Sequence, residues 1–170
     1  MTVRYKTTGA WVILSIAAGA ALGGAIIYGE YLWSVYTNRG IDYFLKYGLM
    51  NGFGIFIIAS IIWTIGICVF GGPVWIILHD AGWRQPWMAG LAAASLPFIV
   101  TFALNTGLFT GQATGDMTYF VGGGLIWDDG VLTDFGWWRA FQGALMFALY
   151  GFLVGLLIWR VAYRNAADTQ

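Results

Sequence analysis

The chain has 170 residues, of which 59% are hydrophobic and 9% are charged, with eight Lys or Arg balanced by eight Asp or Glu. About a quarter of the residues in a soluble domain are charged, so this composition excludes an ordinary soluble domain and predicts an integral membrane protein. The length fits a single domain over residues 1–170. Scattered basic residues in a neutral chain exclude nucleic acid as a partner.

Long stretches without charged residues predict where the chain crosses the membrane. A helix needs about 20 residues to span a hydrocarbon core of about 30 Å, and four intervals between charges are at least that long. The predicted fold is an all-α bundle of four transmembrane helices with one structured extramembrane loop between helices three and four. The predicted helices cover residues 10–32, 48–79 with a break near 71–73, 87–108 and 138–161.

Helix one starts soon after Lys6 and carries Glu30 near its far end. The apolar run is longer than the core of a secretory signal, which has about 7 to 15 residues, so we expect a transmembrane helix here. Glu30 has two readings, as an interfacial carboxylate that meets water or Arg39, or as an ion-binding group at membrane depth. Gly19 and Gly23 have the spacing of four that lets helices approach closely.

In helix two, Gly48 and Gly52 also have the spacing of four. The only side-chain amide of this helix, Asn51, lies near the same side of the membrane as Glu30. Such small residues can serve contacts within the bundle or contacts with a partner. Pro73 follows two glycines near the end of the helix. Proline lacks an N–H and disrupts the preceding turn, so we expect the crossing to break near 71–73.

The end of helix two carries the chain's one histidine, His79, shortly before Gly82. Haem or zinc would need further ligands that the sequence does not supply. We therefore expect a hydrogen-bonded turn in which Gly82 ends the helix and His79 lies near its C-terminal dipole. The single cysteine, Cys68, lies in an apolar run, and we expect it to be a small buried hydrophobic residue.

Helix three contains Pro97 at mid-span, which should free the carbonyl of Ala93 for another donor. Asn105 ends this helix on the side of Asn51. Helix four carries Gln142, the small pair Gly151 and Gly155, and an alanine stripe at 140, 144 and 148. The four polar residues that could line a shared pathway are Glu30, Asn51, Asn105 and Gln142.

The segment 109–137 is too long for a bare connection and is rich in glycine and aromatic residues. Thr118–Val121 and Leu125–Trp127 flank three glycines, which predicts a small β-hairpin or a structured surface loop. Exposed aromatic and apolar side chains would be poorly solvated there, so we expect the loop to dock on the bundle or on a neighbouring subunit. The candidate docking residues are Tyr119, Phe120, Ile126 and Trp127.

The basic residues predict the orientation of the chain. Lys and Arg are favoured in cytoplasmic loops, and five of the eight fall on the side of the two termini. We therefore expect the protein to lie in a bacterial inner membrane with both termini in the cytoplasm.

The sequence lacks phosphate-binding loops, metal-binding motifs and nucleophile motifs, so we expect no enzyme, no cofactor and no metal site. The first functional hypothesis is a non-catalytic membrane subunit or scaffold that contacts lipid and associates with other integral membrane subunits or with itself. The alternative is an oligomeric channel or small transporter with Glu30 and the three amides along its pathway. A weaker third idea is an antenna-type subunit, favoured only by the aromatic content and His79.

Overall fold

The computed structural model describes residues 5–108, 119–121 and 124–165. Most of them are helical, in keeping with the predicted helical class. Three helical stretches are long and apolar enough, by length and composition, to cross a membrane. They are Gly9–Asp80, Pro86–Asn105 and Asp134–Ala162.

The first stretch begins with helix α1, Gly9–Tyr43. This helix continues past residue 32, where the sequence predicted its end, and Val35 beyond that point is buried against Gly48. The Thr37 hydroxyl donates to the Trp33 carbonyl and the Asn38 amide to the Ser34 carbonyl.

The chain reverses direction at Gly40, which has φ 80° and ψ 173°. Only glycine adopts this backbone conformation readily. A π-helical turn, Phe44–Gly48, then leads into helix α2, Leu49–Gly66, which packs against α1. Gly23 faces Trp63 and Gly52 faces Tyr28, so the two helices run antiparallel as a hairpin.

The predicted break near 71–73 stays a prediction. A second π-helical turn, Ile67–Gly71, joins α2 to helix α3, Gly72–Asp80, and both Gly71 and Gly72 have helical backbone angles. The Gly72 N–H donates to the Ile67 carbonyl five residues earlier. This wider turn places Pro73 in the first turn of α3, where a missing N–H is tolerated. Cys68 lies on this turn and is exposed, which corrects the expectation that it is buried.

Helices α4, Pro86–Asn105, and α5, Asp134–Ala162, complete the helical part. The chain divides into two compact units, the first from residues 1–92 and 152–170 and the second from 93–151. The prediction of a single domain stays a prediction, and each unit is described by itself below.

In the second unit, α4 and α5 pack through small residues and aromatic rings. Ala103 of α4 and the α5 stripe at 140, 144 and 148 are buried. The rings of Phe98 and Phe141 are 6.0 Å apart, and those of Phe102 and Trp137 are 5.9 Å apart. These aromatic contacts join the C-terminal half of α4 to the N-terminal part of α5.

Short strands form two small antiparallel sheets. In the second unit, β2 (Tyr119–Val121) pairs with β3 (Gly124–Asp128), which confirms the predicted strand pair, and β3 also pairs with β4 (Val131–Leu132). In the first unit, β1 (Tyr5–Lys6) pairs with β5 (Arg164–Asn165), so the two ends of the described chain lie side by side.

Candidate functional site

The end of α3 positions the first group of candidate residues. The helix closes with two backbone bonds, from the Gly82 N–H to the His79 carbonyl at 3.1 Å and from the Trp83 N–H to the Leu78 carbonyl at 2.8 Å. Together they form a Schellman motif, with Gly82 at φ 78°. Gly82 thus ends the helix as predicted, and the following segment carries Arg84 toward the end of α5.

His79 is the centre of an aromatic cluster in the first unit. Its Nδ1 lies 2.7 Å from the Tyr163 hydroxyl, which donates the hydrogen bond when the neutral histidine carries its proton on Nε2. The imidazole also stacks on Trp75, one turn earlier in α3, with ring centroids 5.1 Å apart. The hydrogen-bond partner of His79 is therefore distant in sequence, directly after the end of α5.

Tyr163 directly follows α5 and is buried. Burial raises the pKa of its phenol, although the nearby Arg84 guanidinium and the Trp75 N–H act in the opposite direction. Trp159, one turn earlier, donates its indole N–H to the Arg84 carbonyl at 3.0 Å. These contacts tie the end of α5 to the α3–α4 connection. We refer to Trp75, His79, Arg84, Trp159 and Tyr163 as the His79 cluster.

The chemistry available to the His79 cluster is that of hydrogen bonding and charge recognition. Among the described residues, no group of three or more His, Cys, Asp or Glu side chains comes close enough to hold a metal ion. The cluster has aromatic faces, hydrogen-bond donors and one guanidinium. Such a set suits recognition of a polar or anionic group.

The four residues predicted for a polar pathway fall into both units. In the first unit, Glu30 and Asn51 are both exposed, on the two arms of the α1–α2 hairpin. In the second unit, Asn105 lies opposite Gly143, and Gln142 accepts a hydrogen bond of 3.4 Å from Arg139 on its own helix. A pathway shared by all four residues therefore stays a prediction.

The glycines predicted as packing or partner faces mostly meet helices of the same chain. A methyl group added to Gly19 would lie 2.6 Å from Ile158, and one added to Gly23 or Gly52 would lie 2.5 Å from Trp63 or Tyr28. Gly48 faces Val35 at 3.3 Å, and Gly155 is buried.

Gly151 faces the Pro97 region of α4. A methyl group on Gly151 would fall on the Ala93 carbonyl oxygen, which Pro97 deprives of its usual main-chain donor. The sequence predicted this freed carbonyl and expected another hydrogen-bond donor beside it. The structure places a glycine there, which allows a close approach of the kind that Cα–H···O contacts stabilise.

The docking residues of the loop lie on the three-stranded sheet. Ile126 and Trp127 are partly exposed in β3, while Thr118 lies outside the described residues and only the strand positions of Tyr119 and Phe120 are described. The sheet is fastened to α5 through Thr133, whose hydroxyl donates to the Leu125 carbonyl at 2.5 Å.

Thr133 also caps α5, because its side-chain oxygen accepts the Gly136 N–H at 3.1 Å. An N-cap threonine with this bond satisfies one of the free donors at a helix start. Sequence reasoning overlooked this cap, although Thr133-Asp134 before an apolar helix is a common start signal. It also overlooked the turn at Asp129-Gly130, whose positive φ values of 47° and 75° are those of a type I′ hairpin.

Tyr163 was not predicted as the partner of His79, nor Arg84 as a neighbour of Tyr163. The hydrogen bond joins positions 84 residues apart, and no local pattern predicts such a pairing.

Comparison of this chain with protein-family models, with curated proteins and with solved structures finds no match.

Proposed function

We propose that this protein is a non-catalytic integral membrane subunit that associates with other membrane proteins. The observation that carries the proposal is how little apolar surface the helices bury within the chain. In the most apolar windows of the three long helical stretches, 6%, 11% and 22% of the residues are buried. Apolar surface left open on this scale is tolerated only against lipid or against other proteins.

The hairpin supports a count of four crossings. Because α1 and α2 are antiparallel, the stretch Gly9–Asp80 supplies two crossings, and α4 and α5 supply one each. An even number of crossings places both termini on one side, and the pairing of β1 with β5 brings the two ends together. The bias of Lys and Arg makes that side the cytoplasm, and we propose the inner membrane of a bacterium as the location.

The length of α1 favours a protein partner in addition to lipid. From Gly9 to the reversal at Gly40 the helix measures about 45 Å, whereas the hydrocarbon core is about 30 Å thick. About 15 Å of the hairpin therefore extends beyond the hydrocarbon before any tilt is considered. We call residues 33–49 the hairpin tip.

The hairpin tip exposes large apolar side chains that lie too far out for lipid tails to cover. They include Trp33, Tyr36, Ile41, Leu45 and Leu49. Apolar surface outside the hydrocarbon marks a protein interaction site when it is contiguous. The expected partner is another membrane protein with an apolar extramembrane surface at the same level.

The test is extraction of the tagged chain in mild detergent, with the mass of the complex and the identity of each subunit measured. We expect discrete foreign subunits in fixed stoichiometry that are lost in Leu45→Asn and kept in Thr37→Asn, an exposed polar control on the same hairpin tip. A monomer in lipid-retaining extraction would contradict the proposal. A pure homo-oligomer would replace it with the channel hypothesis, whose own test is a changed flux or pH dependence in Glu30→Gln.

A further inference from the structure

Unpartnered polar groups gather in one corner of the first unit. Among the described residues, buried side-chain atoms without a hydrogen-bond partner include Thr7 Oγ1, Trp75 Nε1 and Arg84 Nε. Leaving a buried donor without an acceptor is unfavourable. Three such groups close together therefore call for a common explanation.

All three residues lie near Tyr163. Lys6 pairs with Arg164 in antiparallel register, and Thr7 and Tyr163 are the residues next to that pair on the two strands. The ring of Trp75 lies 6.1 Å from that of Tyr163. Arg84 is held beside it by the bond from Trp159, whose ring is 5.9 Å from Tyr163.

The unpartnered groups are mainly donors. Trp75 Nε1 and Arg84 Nε can only donate, and the Thr7 hydroxyl can donate as well as accept. The indole N–H of Trp75 lowers the pKa of Tyr163, yet Trp75 Nε1 has no hydrogen-bond partner among the described residues. A ligand that satisfies these groups must offer acceptor oxygens, and the guanidinium requires a negative charge.

Phosphate is the anion that best fits an arginine fork beside neutral donors. The surroundings indicate where the phosphate comes from. Trp83 and Trp87 flank Arg84 and are 58% and 50% exposed, as expected for rings at the headgroup level of a bilayer. The acid nearest in sequence, Asp80, is exposed at the end of α3.

We propose that Arg84, Trp75 and Thr7 form a binding site for the phosphate of an anionic phospholipid headgroup. Arg84 supplies the charge, Trp75 and Thr7 supply neutral donors, and Trp83 and Trp87 lie along the headgroup layer. The lipid source rests on the membrane placement proposed above, whereas the phosphate chemistry rests on the His79 cluster and Thr7 alone.

The experiment measures thermal unfolding of the purified full chain in detergent as lipid is added. We expect phosphatidylglycerol to raise the Tm by about 5 °C at saturating excess, and phosphatidylcholine to leave it unchanged. Arg84→Gln should weaken the apparent affinity for phosphatidylglycerol at least about tenfold. Arg39→Gln, a charge-matched control on the hairpin tip, should keep the wild-type affinity.

Two further variants protect the test against a folding defect. Trp75→Phe keeps the ring and removes the N–H, and Arg84→Lys keeps the charge and removes the fork. Both should fold with wild-type helix content and weaken phosphatidylglycerol binding several-fold. An equal effect of phosphatidylglycerol on the wild type and on all three site variants would overturn the proposal.

Inorganic phosphate is added in a separate arm. Stabilisation by inorganic phosphate that displaces phosphatidylglycerol, and that Arg84→Gln abolishes, would overturn the lipid source and assign the site to a free phosphate. Failure of the wild type to enter phosphatidylcholine vesicles would instead contradict the membrane placement. The absence of protein partners would contradict the proposed function and leave the lipid site standing.

Discussion

Replacing Gly151 by alanine adds one methyl group where α5 lies close to the main chain of α4. The new Cβ would fall on the Ala93 carbonyl oxygen and lie 3.0 Å from Pro97 Cγ. Carbon atoms in ordinary contact are about 3.5 to 4.0 Å apart. Because the opposing atoms belong to a main chain and a proline ring, they cannot rotate away, and the helices must separate.

The expected cost follows from this geometry. Relief of the overlap requires a separation of roughly 1 Å, and a gap of that size forfeits about a quarter to a half of each neighbouring contact. Overpacking of this kind typically costs about 1–3 kcal/mol. The better helix propensity of alanine returns about 0.5–1 kcal/mol, so Gly151→Ala should destabilise the protein by about 1 kcal/mol, within a range of about 0–2.5 kcal/mol.

Gly54→Ala is the matched control. Gly54 also lies in an apolar helix, but an added methyl group would meet nothing within 4 Å, so alanine should leave stability equal or increase it by up to about 1 kcal/mol. The free energy of unfolding is measured by titration of mixed micelles with a denaturing detergent, followed by far-ultraviolet circular dichroism. If Gly151→Ala proves as stable as Gly54→Ala, the close approach of α4 and α5 is refuted.

Two further predictions concern the polar contacts. Tyr163→Phe should cost about 1–2 kcal/mol because His79 Nδ1 loses its partner. Burial raises the pKa of Tyr163 above its usual value of 10.0, so the contribution of Tyr163 to stability is present below pH 10 and declines as the pH rises further. Melting curves measured across this pH range should show the decline due to Tyr163 in the wild type and not in Tyr163→Phe. Thr133→Val should cost about 1–2 kcal/mol because the helix cap is lost, and it should speed hydrogen exchange of the Gly136 amide. Thr133→Ser keeps the hydroxyl and should leave stability and exchange near the wild-type values. Unchanged exchange in Thr133→Val would show that the cap is not needed.

The helices could be predicted because their signal is local. A run of apolar residues of the right length indicates a helix wherever it lies, and α4 at Pro86–Asn105 agrees with the predicted 87–108 to within a turn. The end of α1 could not be predicted in this way. Its last turns mix Thr37, Asn38 and Arg39 with apolar residues and resemble a loop, whereas the contact that buries Val35 is with Gly48, which lies further along the chain.

The candidate site shows the same limit more strongly. The turn at Gly82 was predictable because a glycine after an apolar helix is a local end signal. The partner of His79 was not, since Tyr163 is distant in sequence and only the packing of unit one brings it near. Similarly, Arg84 Nε lacks an acceptor among the described residues, which is a property of the folded chain that no local sequence pattern predicts.

The use of small residues within the chain bears directly on where a partner can bind. Small residues at spacing four fit both self-packing and association, but Gly19, Gly23 and Gly52 already face large side chains of their own chain. A second protein cannot occupy the same space without displacing those side chains. An interface with another subunit must therefore use large exposed residues, and those of the hairpin tip are the ones that the proposed membrane placement puts beyond the lipid tails. Substitutions at the tip consequently test association, whereas substitutions at these glycines test the fold of the chain itself.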